Sequence, residues 1–292
     1  MNKQTINHLL RISAVLMFFG RAWEHFRWLG PYRDVFYNPN GVFLKSVTFF
    51  TGESITEIYN NHFYENLVIN FSKGLGILFL LSGLIILFYE RLCYFKFIVY
   101  LGLLGLLFNY FGLLMGKHFD MWGMFFEHAG QFFAPVLFIM TRKELSNKSI
   151  YLAQIAISVT FVSHGLFAVG YYPQPGHFAD MLIVSFGIEE ELARLILVVV
   201  GVLDFVFGAI ILIPYGKLNS PLKRTVFNLF VWYGIVWGFL TALARFYAPL
   251  KLDLLWSNVI QDLHEFCIRI PHFIIPIFIY YAVKLKFKEL QV

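Results

Sequence analysis

The sequence predicts an all-α integral membrane protein with eight transmembrane helices arranged as two parallel four-helix repeats. Three observations predict it: a composition too apolar for a soluble surface, apolar stretches of spanning length at regular intervals, and residue patterns in the first half that return in the second. Of the 292 residues 59% are hydrophobic, 20% aromatic and only 14% charged, and the mean hydropathy is +0.67. Soluble domains carry about 25% charged residues. Such a chain is no nucleic-acid reader, disordered regulator or disulfide-stapled secreted domain. The net charge of +5 therefore concerns lipid and orientation, with the bilayer as the expected partner and no nucleic acid. Cys93 and Cys267 form no Cys-x-x-Cys pair, so neither a metal cluster nor a thiol relay within the chain is expected.

A helix needs about 20 mostly apolar residues to cross a hydrocarbon layer of about 30 Å. Stretches of that kind run from Ile6 to Phe26, Leu67 to Tyr89, Tyr94 to Gly116, Met121 to Thr141, Ile150 to Tyr171, Ala193 to Ile213, Val226 to Tyr247 and His264 to Leu285. The first is the least apolar, since Arg11, Arg21, Glu24 and His25 fall in it. A signal peptide is not expected there: no small-x-small cleavage site follows Leu16 to Phe19, and Arg21 interrupts the apolar run.

Orientation follows from the positive residues, which are retained on the cytoplasmic side. One face carries the twelve residues Lys3, Arg91, Lys96, Arg142, Lys143, Lys148, Lys217, Lys223, Arg224, Lys284, Lys286 and Lys288. The other carries the seven residues Arg27, Arg33, Lys45, Lys117, Arg194, Arg245 and Lys251, along with acids such as Glu53, Glu57 and Glu189 to Glu191. Both termini are accordingly expected in the cytoplasm, in the plasma membrane or bacterial inner membrane. The two long connections, Arg27 to Asn66 and Tyr172 to Leu192, then face outward.

The halves align as tandem units, 1–145 and 146–292. Pro135 in Phe132-Phe133-Ala134-Pro135 corresponds to Pro276 in Phe273-Ile274-Ile275-Pro276, and Gly20-Arg21-Ala22 lies opposite Ser163-His164-Gly165. Gly76, Phe79 and Gly83 keep the spacing of Gly201, Asp204 and Gly208. An even number of spans separates the copies, so they share one orientation about an axis along the membrane normal. At these residues the second unit resembles the DoxX/DoxD-like superfamily of small four-helix membrane proteins. Ser163-His164-Gly165-Leu166-Phe167 in its first helix, an outer segment ending in Phe186-Gly187-Ile188, and Gly201-x-x-Asp204-x-x-x-Gly208 carry the likeness. The family usually has glutamate between those glycines. The first unit is a degenerate copy, with Phe79 in place of the acid and Arg21 in place of the histidine. The resemblance implies association with quinone-linked or thiol-linked redox complexes in the membrane, often as a non-catalytic subunit.

Ionisable residues inside spans are costly and face the bundle interior or a wet cavity. Here they concentrate in the outer half: Arg21, Glu24 and His25 in span one, Lys73 in span two, Glu127, His128 and Gln131 in span four, His164 in span five, and His264, Glu265, Arg269 and His272 in span eight. Only Asp204 reaches mid-span. Arg21, Lys73, Arg245 and Arg269 balance Glu24, Glu127, Asp204 and Glu265, as a low-dielectric interior requires. Glu265, Arg269 and His272 lie at i, i+4 and i+7 on one helix face. The expected ligand-binding set is Arg21, His25, Glu127, His128, His164, His264, Glu265, Arg269 and His272, joined in one cluster. Two readings stay open for it: ion pairs that fix helix positions, or a ligand pocket.

A pocket of this kind suits a quinone, whose carbonyls need donors and whose ring needs aromatic walls. A haem b between His128 and His272, or between His164 and His272, is the lesser alternative. A loop zinc or copper site at His62, Glu65, His118 and Asp120 is weaker still. Pro271 and Pro276 are expected to bend the last span and free carbonyls near residues 267 and 272. Gly74, Gly76, Gly83, Gly201 and Gly208 are expected at close helix approaches. The expected function is thus a DoxX-like membrane subunit with an outward-facing pocket for a quinone or other amphipathic molecule in a redox complex. The alternatives are a non-catalytic accessory protein that binds a complex partner through its outer loops, and a transporter, which the scarcity of polar groups in the inner half disfavours.

The charge asymmetry makes a direct prediction. In a background lacking Cys93 and Cys267, the substitution Asn60→Cys should be labelled by an impermeant thiol reagent from outside, and Ser220→Cys should not. Equal labelling of both would refute the orientation.

Overall fold

A computed structural model describes residues 3–117, 122–250 and 252–289. Met121, His118, Asp120 and Lys251 lie outside the described residues, so the start of the fourth expected span and half of the candidate loop metal site do too. The protein is 85% helix, with no strand among the described residues. In chain order the helices are α1 (Lys3–Trp28), α2 (Tyr32–Phe36), α3 (Val42–Thr51), α4 (Ile55–Asn60), α5 (His62–Leu87), α6 (Tyr89–Leu92), α7 (Lys96–Lys117), α8 (Gly123–Phe126), α9 (Ala129–Thr141), α10 (Asn147–Ala168), α11 (Gly176–Phe186), α12 (Glu190–Ile211), α13 (Pro221–Tyr247), α14 (Leu255–Arg269) and α15 (Pro271–Glu289).

Among the described residues six helical segments are long and apolar enough to cross a membrane: α5, α6 with α7, α10, α12, α13, and α14 with α15. They leave apolar side chains such as Leu195, Val199, Val202, Leu229 and Val236 outward, as a lipid environment requires. The first and fourth expected spans are not among the six, for different reasons. Helix α1 has 26 residues, but Arg11, Arg21 and Glu24 dilute its apolar run. The fourth is broken at Glu127 and His128 into α8 and α9, and α9 has 13 residues, short of the spanning length.

Local signals explain the helix ends. Ser146 and Ser220 cap α10 and α13 by accepting from the backbone N–H of Ser149 and Lys223, and Pro221 occupies the first turn of α13. Ser54 and Glu57 form a reciprocal capping box on α4, and the backbone N–H of Ser54 holds the Glu57 carboxyl below its usual range. Ile270 interrupts the last span. There Pro271 lacks the N–H that would continue α14, and the Cys267 carbonyl accepts instead from Ile270 N–H at 3.4 Å.

The chain divides into two compact units, residues 1–20 with 126–292 and residues 21–125. In the larger unit α10 packs against α9, α12 and α15, α13 against α12, α14 and α15, and the short α11 against α12 and α13. Helix α9 thus joins helices of the second sequence half. The N-terminal part of α1 is tied in by Asn7, which donates to Thr141 Oγ1 at 3.1 Å. In the smaller unit α2, α4 and α7 gather on α5.

Small residues set the closest approaches. A Cβ on Gly201 would lie 3.1 Å from the Gly165 carbonyl oxygen, and one on Gly208 would lie 2.6 Å from Val162, so α10 and α12 meet backbone to backbone. Ser158 uses that proximity to donate to the Gly208 carbonyl at 2.8 Å. Gly76 makes a similar close contact with Phe26 and His25, whereas Gly74, expected at an approach, faces open space and has no packing role. On α13 a Cβ at Gly238 would come within 2.6 Å of the His272 carbonyl oxygen. Because Pro276 lacks an N–H, that carbonyl has no partner within α15, so the bare Gly238 surface is what faces it.

Gly238→Val should therefore destabilise the purified protein by about 1–3 kcal/mol, the usual cost of overpacking. A lowered melting temperature checks this. An unchanged one would mean that α13 and α15 do not meet at this residue.

Candidate functional site

Two helix faces of the larger unit enclose a cavity of about 270 Å³. On α11 the lining residues are Phe178, Met181, Leu182, Ser185 and Phe186, and on α13 the stripe Trp237, Leu240, Thr241, Ala244 and Arg245 is flanked by Leu243 and Tyr247. Both sets follow i, i+3, i+4, i+7, i+8, the spacing of one face of an α-helix. Helix α11 has only 11 residues and ends at Gly187, whose left-handed φ of 64° turns the chain toward α12. Phe161, Leu197 and Val200 complete apolar walls on α10 and α12. The cavity lies just below the size range of small-molecule sites, about 300–1,000 Å³, and has their usual apolar character.

The ionisable groups of the walls come from five helices: His164, Asp204, Arg245, Arg269 and His272. His164 and His272 meet edge to face with ring centres 5.4 Å apart. His272 is 3% exposed, and its Nε2 has no hydrogen-bond partner. Arg269 is paired with Glu265 one turn earlier on α14, and Glu265 also lies 3.6 Å from His264 Nε2. Arg245 has no hydrogen bond or ion pair among the described residues; its guanidinium lies over the Phe178 ring, 5.4 Å from the centre. On α12, Asp204 is buried and accepts a hydrogen bond of 2.6 Å from the Tyr233 hydroxyl.

The break before α9 contributes from behind the cavity wall. Glu127 stands at the N-terminal end of α9, where the helix dipole favours an anion, and lies 3.7 Å from His128 and 3.9 Å from His164. One first-turn N–H of α9, that of Gly130, donates to Thr160 Oγ1 on α10 at 2.9 Å. His164 is thus oriented by Glu127 on one side and faces the cavity on the other.

The smaller unit holds Arg21 and His25 in a packed interior. Arg21 pairs with Glu24 at 2.8 Å and lies over the Tyr110 ring. His25 Nδ1 is 2.8 Å from the Arg21 carbonyl, so that nitrogen carries the proton and Nε2 accepts from the Tyr32 hydroxyl at 2.8 Å. The Tyr32 oxygen is also 3.2 Å from the Asn109 side-chain amide. One hydroxyl proton cannot serve both neighbours, so the Asn109 amide places its nitrogen toward Tyr32 and donates. That also gives a partner to the otherwise unbonded Asn109 Nδ2. Burial pushes the Tyr32 phenol up, which keeps it a neutral donor. Phe71, Phe79 and Phe108 fill the space around these rings.

Of the nine residues expected from sequence, His164, Arg269 and His272 line the cavity. Glu127, His128, His264 and Glu265 stand behind it as partners, and Arg21 and His25 belong to the other unit. Arg245, Asp204 and Tyr233 were absent from that set, although the helical period of Trp237, Thr241, Ala244 and Arg245 marks the face. The direct edge-to-face packing of His164 and His272 leaves no room between them for a haem. Among the described residues no group of three or more His, Cys, Asp or Glu side chains is arranged for a metal ion. Comparison of the chain with protein-family models, with curated proteins and with solved structures gives no match.

The Arg269 and Glu265 pair yields a stability test. Arg269→Met leaves a carboxylate that is one-third exposed without its cation, and should cost about 1–3 kcal/mol after allowance for that exposure. The double variant Arg269→Met, Glu265→Gln should recover most of the loss in thermal unfolding. Additive losses would show that the pair is not coupled.

Proposed function

We propose that this chain is a DoxX-like integral membrane protein of the plasma membrane, or bacterial inner membrane, whose outward-facing pocket binds a quinone or another amphipathic small molecule within a redox complex. The observation that carries the reading is the unpartnered Nε2 of His272 in the wall of a mainly apolar cavity of about 270 Å³. Buried polar atoms are nearly always hydrogen-bonded, and one left open beside a cavity marks the place where a ligand atom completes the set. The residues fit a quinone headgroup. Arg269, Arg245 and His272 would offer donors to its carbonyl oxygens, and Phe178, Phe161 and Trp237 would offer walls to its ring.

The topology that accompanies this reading has eight spans, as two parallel four-helix repeats at 1–145 and 146–292, with both termini cytoplasmic. The length of α1 and the apolar surroundings of α8 and α9 support counting them with the other six. A partner-binding accessory role is the second reading. It is favoured by α3, which exposes Phe49 and Phe50 to 81% and 83% in the first long outer connection.

Purified protein should yield a quinone or similar amphiphile on organic extraction, visible in the absorption spectrum of the extract. His272→Leu should abolish that co-purification while the melting temperature stays close to wild type, because the Nε2 it removes makes no hydrogen bond within the protein. An empty wild-type extract, together with a melting temperature lowered by the substitution, would favour the accessory role instead.

A further inference from the structure

We infer that the ligand of this pocket is a single-tailed acidic amphiphile, whose carboxylate or phosphate head pairs with Arg245. The inference rests on the amphiphile pocket proposed above and narrows its ligand by charge.

A guanidinium is always charged, and inside an apolar bundle an uncompensated charge is strongly disfavoured. Nearby arginines are compensated: Arg269 pairs with Glu265, and Arg194 with Glu190 at 2.6 Å. Arg245 lines the cavity wall with its guanidinium over the Phe178 ring; the charges of Arg269, Glu265 and Glu127 act on it from nearby, but no carboxylate among the described residues is in ion-pair contact with it. Of the acids in the unit's interior, Glu265 is engaged by Arg269 and His264, while Glu127 lies beside His128 and His164, and neither lines the cavity. Asp204 does line it, but its partner Tyr233 precedes Arg245 by twelve residues on α13, about 18 Å along the helix, far beyond ion-pair distance. The cavity wall therefore presents two guanidinium groups, one of them with no carboxylate in ion-pair contact, and the open Nε2 of His272. A bidentate acid is the group that such donors recognise. Leu240, Ala244 and Leu182 line the same cavity, whose volume of about 270 Å³ suits one tail rather than two.

The test uses the full chain in phosphatidylcholine nanodiscs, with dodecanoate, dodecyl phosphate, dodecanol, acetate and inorganic phosphate as probes. Dodecanoate or dodecyl phosphate should bind at least about tenfold tighter than dodecanol, as a charge-assisted hydrogen bond provides. Acetate and inorganic phosphate alone should bind far more weakly than either. Arg245→Gln should erase the preference for the acid over the alcohol while dodecanol binding persists, and Arg245→Lys should keep part of it. Equal binding of acid and alcohol to the wild type would overturn the acidic head and leave the amphiphile pocket standing. Binding of none of the tailed probes would overturn the pocket itself. If Arg245→Gln does not fold, the wild-type comparison and Arg245→Lys still decide.

Discussion

The meeting of the His272 carbonyl with Gly238 is the contact on which the polar end of the larger unit depends. Pro276 denies that carbonyl its helical partner, and Gly238 lets α13 lie directly against it. The bare glycine surface lets the two backbones meet at van der Waals distance at this point, where any side chain would clash with the carbonyl. Once α13 and α15 are fixed at this height, Thr241 and Arg245 follow on the same face of α13, and Arg269 precedes His272 on the other side of the Pro271 break. This cavity wall is thus a consequence of where two prolines and one glycine put the backbone.

That part of the architecture is legible in the sequence, because proline acts through its own chemistry whatever surrounds it. The interruption expected at Pro271 is there, as are the close approaches at Gly201 and Gly208 and the i, i+4 pairing of Glu265 with Arg269, while α15 runs on through Pro276. The interruption at Glu127 and His128 is not legible in the same way. Apolar residues flank it on both sides, and what favours it is tertiary: Thr160 on another helix accepts a first-turn N–H of α9. Helix α11 is hidden for a related reason. Its apolar period is plain once seen, but a stretch of 11 residues is too short to register as a span and reads as part of a long connection. The role of Arg245 depends on that helix, since the Phe178 ring comes from it, and a charge balance drawn from sequence pairs Arg245 with acids that are elsewhere engaged.

The two units treat their ionisable groups differently. In the smaller one, Arg21 has Glu24, and His25, Tyr32 and Asn109 form a continuous chain of donors and acceptors. Phe79, which the sequence spacing sets opposite Asp204 in the proposed repeat, is fully buried and packs edge to face on His25 at 4.9 Å. An interior filled with rings has no use for a carboxylate there, and would bear the cost of desolvating it. In the larger unit Asp204 is retained beside a cavity and is met by a single hydroxyl.

Incomplete satisfaction of polar groups carries information only where the group cannot adjust. A buried serine hydroxyl such as that of Ser13 or Ser72 can rotate toward a carbonyl of the preceding turn, so its apparent isolation means little. The imidazole of His272 is buried and packed edge to face on the His164 ring, and its Nε2 has no hydrogen-bond partner there. Arg245 has a longer side chain, yet its guanidinium rests on Phe178 at a cavity wall instead of reaching a carboxylate. Helix packing alone would be served as well by apolar residues at both positions, and with less electrostatic cost. The coincidence of both groups in the wall of one cavity is therefore what supports the proposed ligand pocket over a purely structural role.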